Sequence, residues 1–390
     1  MITNWLKKNL EGDYQIWTIV AFLSMCSIIV VFSATGKLAI LSGQGTFSFL
    51  VKHTAIVVAS LGAMWYFHKF DYHKFATVSN FCVFLSIALL IYTYKYGVSI
   101  NDARRWVRVP LIGMTFMPSD LAKLSLITNL AGMLAKRQHV EYTFVELLPM
   151  IVKILMVCTC IALTNVSTSA LLFSTCFLLM FFGRVPVQYL VYTMMGLFMM
   201  GTILVMTGTG SRIETARNRI ANYVDGIKGK KKPGADKDSD YQIERSFFAI
   251  ANGGLTGKGP GKSQQRYFLS QADSDFVYSI IIEEWGMLGG IFVLGLYLWF
   301  LYRGMKAVDS SGRAFGGLLS AGLTFSLVIQ AFANMAVAVN LMPVTGVPLP
   351  LVSMGGTSIW FTCIAIGIIL SVSKSNEDST GKEEQEVITE

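Results

Sequence analysis

Residues 15–36 read QIWTIVAFLSMCSIIVVFSATG, a run that contains no charged side chain. A helix must present roughly 20 consecutive apolar residues to cross the hydrocarbon core of a bilayer, and this run has that length. Further apolar blocks follow at about 48–67, 75–94, 119–135, 145–164, 166–182, 187–207, 276–302, 315–341 and 357–373. The pattern predicts an all-α polytopic membrane protein with about ten transmembrane helices, of which the fourth is the least hydrophobic.

The composition excludes a soluble enzyme. Of the 390 residues, 53% are hydrophobic and only 14% are charged, whereas soluble domains carry about 25% charged residues. Lys and Arg outnumber Asp and Glu by 32 to 24. In a membrane protein such an excess of positive charge indicates contact with anionic lipid headgroups, signals that set the orientation in the membrane, or binding of an anionic lipid substrate. Nucleic acid is not predicted as a partner, because no folded basic soluble domain would bind it. The six cysteines lie in apolar blocks and are predicted to be packing residues.

The loops predict the topology. An even number of spans places both termini on one side, and Lys and Arg are more frequent in the loops of that side, so both termini are predicted to be cytoplasmic. The transmembrane domain is predicted to cover 1–373, followed by a disordered cytoplasmic tail at 374–390. The longest connection, at about 208–275, is predicted to be extracytoplasmic, and its centre at 228–240 is of low complexity.

The glycine-rich stretch Gly253–Ser263 ends like a nucleotide-binding loop, but Thr256 stands where the first glycine of that motif belongs. No strand is predicted before it, so nucleotide binding is disfavoured. A glycine-rich backbone beside Lys258 and Lys262 could still cradle a phosphate through its N–H groups. A flexible surface loop is an equally good interpretation.

Carboxylates stand at the entrance to the eighth block. Asp275 lies at the predicted water–membrane boundary, where it could act as a general base on a lipid-linked substrate or cap the helix that follows. Asp273 is a rival for the first role. Glu283 and Glu284 fall inside the span, where an ionisable group indicates either function or an interhelical hydrogen bond.

Two other polar clusters border the spans. Arg104 and Arg105 lie in a basic outer loop, where they could bind a diphosphate or anionic headgroups. Asp120 and Lys123 share one face of the fourth helix, either as an internal ion pair or as the polar lining of a cavity.

The ninth span and the loop after it contain polar and irregular positions. Gln330 and Asn334 share a face of the ninth span and are predicted to form interhelical hydrogen bonds. The segment 342–358 is apolar but broken by proline and glycine, which predicts the wall of a site, because irregular backbone survives in a membrane only inside protein or beside a water-filled cavity.

Several separated stretches together resemble one family, the FtsW/RodA/SpoVE proteins, also known as SEDS proteins, and they occur in the family's order over nearly the whole chain. The stretches are Ala103-Arg-Arg-Trp106, Met117-Pro-Ser-Asp-Leu-Ala-Lys123, Gly253-Gly-Leu-Thr-Gly-Lys-Gly259, Ala272-Asp-Ser-Asp-Phe276, Glu283-Glu-Trp-Gly286 and Met342-Pro-Val-Thr-Gly346 with Leu349-Pro-Leu-Val-Ser-Met-Gly-Gly-Thr-Ser358. The last of them is more similar to the division branch than to the elongation branch.

The resemblance implies site residues. The family's essential aspartate falls on Asp275, and its membrane carboxylate and the following lysine fall on Asp120 and Lys123. Its arginines before Trp fall on Arg104 and Arg105. The chain departs from the family in having Asp273 where His is usual, Asp120 where Glu is usual, and the insertion 228–240.

The resemblance also implies a reaction and its partners. It predicts an inverting peptidoglycan glycosyltransferase in the cytoplasmic membrane that polymerises lipid II at the outer face, together with a class B penicillin-binding protein and other divisome proteins. Asp275 would be the general base, and undecaprenyl diphosphate the leaving group, its charge offset by the arginines with Lys123, Lys258 or Lys262. No cofactor is predicted, and assistance by a divalent cation is left open.

Three alternatives remain. The chain could be an elongation-type polymerase, a flippase that moves lipid II across the membrane, or a scaffold that recruits the transpeptidase without chemistry. The absence of an internal sequence repeat disfavours the flippase, because many transporters are built from repeats.

Overall fold

The computed structural model describes residues 10–43, 45–100, 103–108, 115–138, 142–206, 211–227, 237–269, 271–309 and 313–389. Its helices within these residues are α1 Tyr14–Ala34, α2 Gly36–Ser42, α3 Thr46–Phe67, α4 His73–Tyr96, α5 Pro118–Ala135, α6 Phe144–Ala162, α7 Val166–Phe182, α8 Val187–Met206, α9 Ser211–Ile227, α10 Lys237–Gly253, α11 Val277–Asp309, α12 Ala314–Ala338 and α13 Thr357–Thr389.

A helix lies at each of the ten predicted spans, which confirms an all-α polytopic membrane protein. Among the described residues, seven helices are long and apolar enough to cross a membrane, namely α1, α3, α4, α6, α11, α12 and the first part of α13. The apolar helices α7 and α8 are shorter. Helix α5 has 18 residues and is more polar because it carries Asp120 and Lys123, in agreement with the weak hydrophobicity of the fourth block.

Helix α12 is the most enclosed of these spans, with 72% of its apolar window buried. It packs against α5, α7, α11 and α13. A polar side chain on this helix therefore faces other protein segments rather than lipid, and Gln330 and Asn334 are in this position, 6% and 1% exposed.

A small antiparallel sheet lies between α4 and α5, which the sequence predicts only as a basic loop. Strands β1 Val98–Ile100, β2 Ala103–Arg108 and β3 Thr115–Phe116 pair in the order β1-β2-β3. The strands are too short to show a reliable alternation of apolar and polar residues. Because successive side chains of a strand point to opposite faces, β2 separates Arg104, which is exposed, from Arg105, which is half-buried.

Helix α13 continues beyond its apolar part to Thr389, into the tail for which the sequence predicts disorder. The Lys, Glu and Gln residues of this tail are good helix formers even without an apolar face. All six cysteines are free thiols, four of them buried, which agrees with their prediction as packing residues.

Helix α11 is broken at Gly286, where φ is +71°. The glycine-rich segment crosses the break, since the N–H of Met287 donates to the carbonyl of Gly254 at 2.9 Å. A Cβ on Gly286 would collide with the carbonyl oxygen of Leu255. The position requires glycine both for its left-handed backbone and for this close approach.

Gly286→Ala is expected to lower the free energy of unfolding by at least about 2 kcal/mol, because the left-handed conformation and the collision both oppose a side chain. Thermal unfolding in detergent measures the effect. The matched control is Gly295→Ala on the same helix, where a Cβ would meet open space; it should shift stability by no more than about 1 kcal/mol. Equal stability of the two variants would contradict a structural role for the break.

Candidate active site

Asp275 lies two residues before α11, and a side chain of α12 forms a hydrogen bond to its backbone. The side-chain amide of Asn334 donates to the carbonyl of Asp275 at 2.9 Å and to that of Val347 at 2.8 Å. Asn334 is 1% exposed, so water does not compete for these bonds. One buried amide thus joins the acidic segment to the irregular segment that follows α12.

The irregular segment runs beside residues 273–275 and bonds directly to the first two of them. Ser353 Oγ donates to the carbonyl of Ser274 at 2.6 Å, and the N–H of Met354 donates to that of Asp273 at 2.8 Å. Ser353 Oγ also accepts from the N–H of Leu349 at 2.8 Å. With the bond from Asn334, the carbonyls of three successive residues, 273 to 275, accept hydrogen bonds, so the predicted wall segment packs directly against the acidic segment.

Gly346 leaves space between two opposite charges. Its φ is +66°, and a Cβ there would lie 3.5 Å from Asp275 Oδ2 and 3.8 Å from Arg105 Nη1. The carboxylate and the guanidinium thus border the same point, although 170 positions separate the two residues in sequence. This juxtaposition is the central geometric feature of the site.

The pKa of the Asp275 carboxyl is raised to about 6, mainly by burial; Arg105, Ser274 and Arg219 act to lower it, and the nearby Asp273 acts to raise it. Burial also raises the pKa of Asp273. The Asp275 side chain keeps partial access to solvent. A carboxylate that is ionised near neutral pH, yet basic enough to take a proton, is suited to general-base chemistry.

The alternative role of Asp275 as a helix cap finds no support among the described residues. Within this part of the chain, the Asp275 side chain accepts no hydrogen bond from a first-turn N–H of α11. The turn is closed instead by the N–H of Ser279, which donates to the carbonyl of Phe276 at 3.1 Å.

A second arginine reaches the site from α9. Arg219 Nη1 donates to the carbonyl of Val344 at 3.1 Å, and one turn later the Tyr223 hydroxyl donates to that of Leu341 at 2.8 Å. Arg219 was not predicted from the sequence as a site residue. The one feature that could have pointed to it is the helical spacing of basic and apolar residues in this part of the long connection.

Asp120 and Lys123 form an internal ion pair, 2.8 Å apart, and both line a cavity of about 30 Å³ between α5, α12 and α13. Lys123 Nζ also donates to Gln330 Oε1 at 3.2 Å, and the Gln330 amide donates to the carbonyl of Pro348 at 2.9 Å. Gln330 lies one turn from Asn334, so the pair reaches the irregular segment through one glutamine. Asp120 and Lys123 are therefore both an internal ion pair and part of the polar lining of a cavity, the two arrangements predicted for them.

The glycine-rich segment is bonded to α11. The N–H groups of Lys258 and Gly259 donate to the carbonyls of Glu283 and Glu284 at 3.0 and 2.8 Å, so these donors are not available to a phosphate. Lys258 Nζ lies 3.6 Å from Glu283 Oε1. Lys262 is exposed. Neither lysine contacts Asp275 among the described residues.

The carboxylates of Glu283 and Glu284 accept hydrogen bonds from the end of this segment and the residues that follow it. Glu283 accepts from the N–H groups of Gln264 and Gln265 at 3.1 and 3.2 Å. Glu284 accepts from the N–H of Ser263 at 3.3 Å and from the hydroxyl of Ser33 on α1. The interhelical hydrogen bond predicted for these glutamates is thus present for Glu284, which bonds to α1, whereas the bonds of Glu283 go to the loop.

Within the described residues, no group of three His, Cys, Asp or Glu side chains is arranged to hold a metal ion. Among these residues, the carboxylates at the site are those of Asp273 and Asp275.

Comparison with known proteins agrees with this architecture. The FtsW/RodA/SpoVE family, described as "Cell cycle protein", matches residues 13–378. The "Probable peptidoglycan glycosyltransferase FtsW" of Geobacter sulfurreducens is 30% identical over 370 residues, which cover 93% of this chain and 95% of that protein. The "Stage V sporulation protein E" of Bacillus subtilis is 27% identical over 376 residues, covering 94% and 98%.

Two solved structures share the fold. The rod shape determining protein RodA of Thermus thermophilus superposes with a TM-score of 0.67 at 23% identity, covering 96% of this chain and 99% of that one. A chain from a solved structure described as "Structural coordination of polymerization and crosslinking by a peptidoglycan synthase complex" gives a TM-score of 0.73 at 22% identity, covering 94% and 98%.

Proposed function

Because this chain belongs to the FtsW/RodA/SpoVE family, we propose that it polymerises lipid II into glycan strands for the septal wall in cell division, with Asp275 as the general base. It is a peptidoglycan glycosyltransferase, as its curated relatives are named. The observation that carries the assignment of the site is that the Asp275 carboxylate and the Arg105 guanidinium both lie beside Gly346.

In the proposed reaction, Asp275 removes the proton from the 4-hydroxyl of the acceptor sugar. The oxygen attacks the anomeric carbon of the lipid-linked strand, and the bond from that carbon to the diphosphate breaks with its electron pair on the leaving group. A single displacement inverts the anomeric carbon. Arg105 and Arg219 face the site and would offset the charge that develops on undecaprenyl diphosphate.

The other predicted binding residues take different roles in this proposal. Lys123 acts through its pair with Asp120 and through Gln330, so it supports the irregular segment rather than touching the leaving group. Arg104 and Lys262 are exposed and would meet the substrate only as it arrives, while Lys258 is paired with Glu283.

Asn334 and Ser353 are positioning residues in this mechanism. They hold the carbonyls of Asp275 and Ser274, which limits the positions that the carboxylate can reach. A base held in place loses less entropy when it meets its substrate.

The site is proposed to lie at the outer face of the cytoplasmic membrane, with both termini cytoplasmic. The protein is a multi-pass membrane protein, and the excess of Lys and Arg on the side of the termini supports this orientation. A class B penicillin-binding protein is the proposed partner, with other divisome proteins. This partnership is supported by the solved chain of the same fold that belongs to a peptidoglycan synthase complex.

Polymerisation of labelled lipid II by the purified protein with a partner transpeptidase tests the function. Glycan ladders are the expected product. If a competent pair yields no ladder while the protein moves lipid II across vesicles, the flippase interpretation replaces this one.

The rate of polymerisation is expected to fall as the pH drops through about 6, because Asp275 must be unprotonated to accept a proton and its pKa is raised to about 6. Replacing the neighbouring charge with Asp273→Asn removes one cause of that shift, so the acid limb should move to lower pH. A pH–rate profile of the two proteins measures both effects. A limb that stays in place in the variant would contradict the coupling of the two carboxylates.

A further inference from the structure

Three helices contribute polar side chains to one cluster inside the predicted membrane region. Lys153 Nζ of α6 donates to Asn80 Oδ1 of α4 at 2.7 Å and to Asn129 Oδ1 of α5 at 2.9 Å. The Asn129 amide in turn donates to Ser79 Oγ at 3.1 Å. We call these four residues the Lys153 cluster; they share no residue with the site around Asp275.

The cluster is deep in the membrane. Asn80 lies seven residues from the start of α4, Asn129 six from the end of α5, and Lys153 nine from the start of α6, and these three helix ends are on the same side of the bundle. At 1.5 Å per residue the three side chains are roughly 9 to 14 Å from those ends. Half of a hydrocarbon core is about 15 Å thick, so the cluster lies within one leaflet.

No carboxylate pairs with the ammonium of Lys153 in the part of the chain that the structure describes. None of the ion pairs among these residues includes it, and its hydrogen-bond partners are neutral. A cation inside the hydrocarbon core is costly, which is why intramembrane charges are usually paired.

The cluster faces outward. Asn80 is exposed and Lys153 is half-exposed. The apolar side chains beside them form a surface open to lipid or to another helix, with exposures of 52% for Val78, 67% for Phe81 and 43% for Met156. This face, formed by α4 and α6 around Asn80 and Lys153, therefore combines an apolar surface with a positive charge that has no carboxylate partner among the described residues.

Two anionic groups could reach such a charge, a lipid phosphate or a carboxylate on a transmembrane helix. A lysine inside the membrane usually reaches a lipid headgroup by extending its side chain toward the interface. Here the hydrogen bonds to Asn80 and Asn129 keep Nζ of Lys153 at the depth of those two side chains. A phosphate would have to sink about 10 Å into hydrocarbon, whereas a carboxylate on a neighbouring helix can lie at that depth. We propose that this face binds a transmembrane helix of another protein that carries an Asp or Glu at the depth of Lys153.

A synthetic single-span peptide tests the proposal on the full-length protein in bilayers. The peptide is rich in Leu and Ala, carries one Glu about 10 Å from one end, and has a Cys one turn further on; a second peptide has Gln in place of Glu. The protein carries Met156→Cys, with Cys82→Ala and Cys160→Ala to remove the half-exposed thiols of the two helices. Disulfide cross-linking is measured with each peptide, with Lys153→Arg and Lys153→Met as the variants.

The Glu peptide is expected to cross-link about five- to tenfold more than the Gln peptide, a preference that persists in Lys153→Arg and disappears in Lys153→Met. Phe198→Cys on α8, which is 79% exposed, is the control site and should not distinguish the peptides. Equal yields of the two peptides at Met156→Cys, or a preference that survives Lys153→Met, would overturn the proposal. Lys153-dependent retention of phosphatidylglycerol without a peptide preference would assign the charge to a lipid instead.

Discussion

Asp275→Asn is expected to reduce the polymerisation of lipid II by about 10²- to 10⁴-fold, the range in which a general base contributes. The amide is nearly the same size as the carboxylate but cannot accept the proton of the sugar hydroxyl at neutral pH. The fold should be unaffected, because the protein holds this residue through its backbone carbonyl, which Asn334 bonds. The measurement is the glycan ladder formed by purified protein and partner, with thermal unfolding as the check on folding.

Asp273→Asn is the matched control. It removes the same charge two residues away, in a segment held in the same manner by the N–H of Met354, and should retain most of the activity at neutral pH. Loss of activity in Asp273→Asn with retention in Asp275→Asn would move the base to Asp273. Ladders from both variants would show that neither carboxylate is the base, and translocation of lipid II without any ladder would favour a transporter.

The membrane spans could be predicted from the sequence because a bilayer imposes a length and a composition that can be read from one segment at a time. Residues 15–36 met both conditions and became α1 Tyr14–Ala34. The sheet between α4 and α5 could not be predicted in this way, since strands of two to six residues contain too few positions for a period to appear. The kink at Gly286 could not be predicted for another reason: the carbonyl of Leu255 that approaches it, and leaves no room for a Cβ, belongs to a different segment.

The site was predictable where one residue type indicates one chemistry. The position of Asp275 at the predicted membrane boundary indicated a general base, and the family resemblance implies the same residue. Arg219 and the positioning role of Asn334 depend on contacts across 125 and 59 positions, which no local pattern reports. Lys258 shows the opposite case. The surrounding glycines and Lys262 suggested a phosphate cradle, but the backbone carbonyl of Glu283 accepts the Lys258 N–H and the Glu283 carboxylate pairs with its ammonium.

These contacts divide the polar residues before and within the first part of α11 into two groups. Glu283 and Glu284 fasten the glycine-rich segment to α11 and α1, while residues 273–275 are fastened to the segment after α12. The first part of α11 connects these two groups. At its start, Asp275 is bonded to α12, and at Glu284 the helix is bonded to the glycine-rich segment and to Ser33 of α1. The site is therefore built on a rigid frame, and substitutions of Asp275 or Arg105 should change activity without changing stability.

Arg105→Gln is the second substitution with a large expected effect. The guanidinium borders the Asp275 carboxylate at Gly346, where it is placed to offset the charge of the leaving diphosphate, and such groups contribute about 10²- to 10³-fold to rate. Polymerisation should fall by that amount. Arg105→Lys should recover only part of it, because an ammonium lacks the planar pair of donors that binds a phosphate through two hydrogen bonds.

Arg104→Gln separates this role from general attraction to an anionic lipid. The two arginines are adjacent in β2, yet Arg104 is exposed and Arg105 is half-buried, so only the second reaches the site. Arg104→Gln should change the rate by less than about tenfold and mainly at low substrate and low salt, as expected for an exposed charge screened by ions. The steady-state rate at saturating lipid II distinguishes the two variants. Equal losses would place both arginines on the substrate and contradict the separation that β2 imposes, and an Arg105→Gln enzyme with full activity would leave Arg219 to offset the charge of the leaving group.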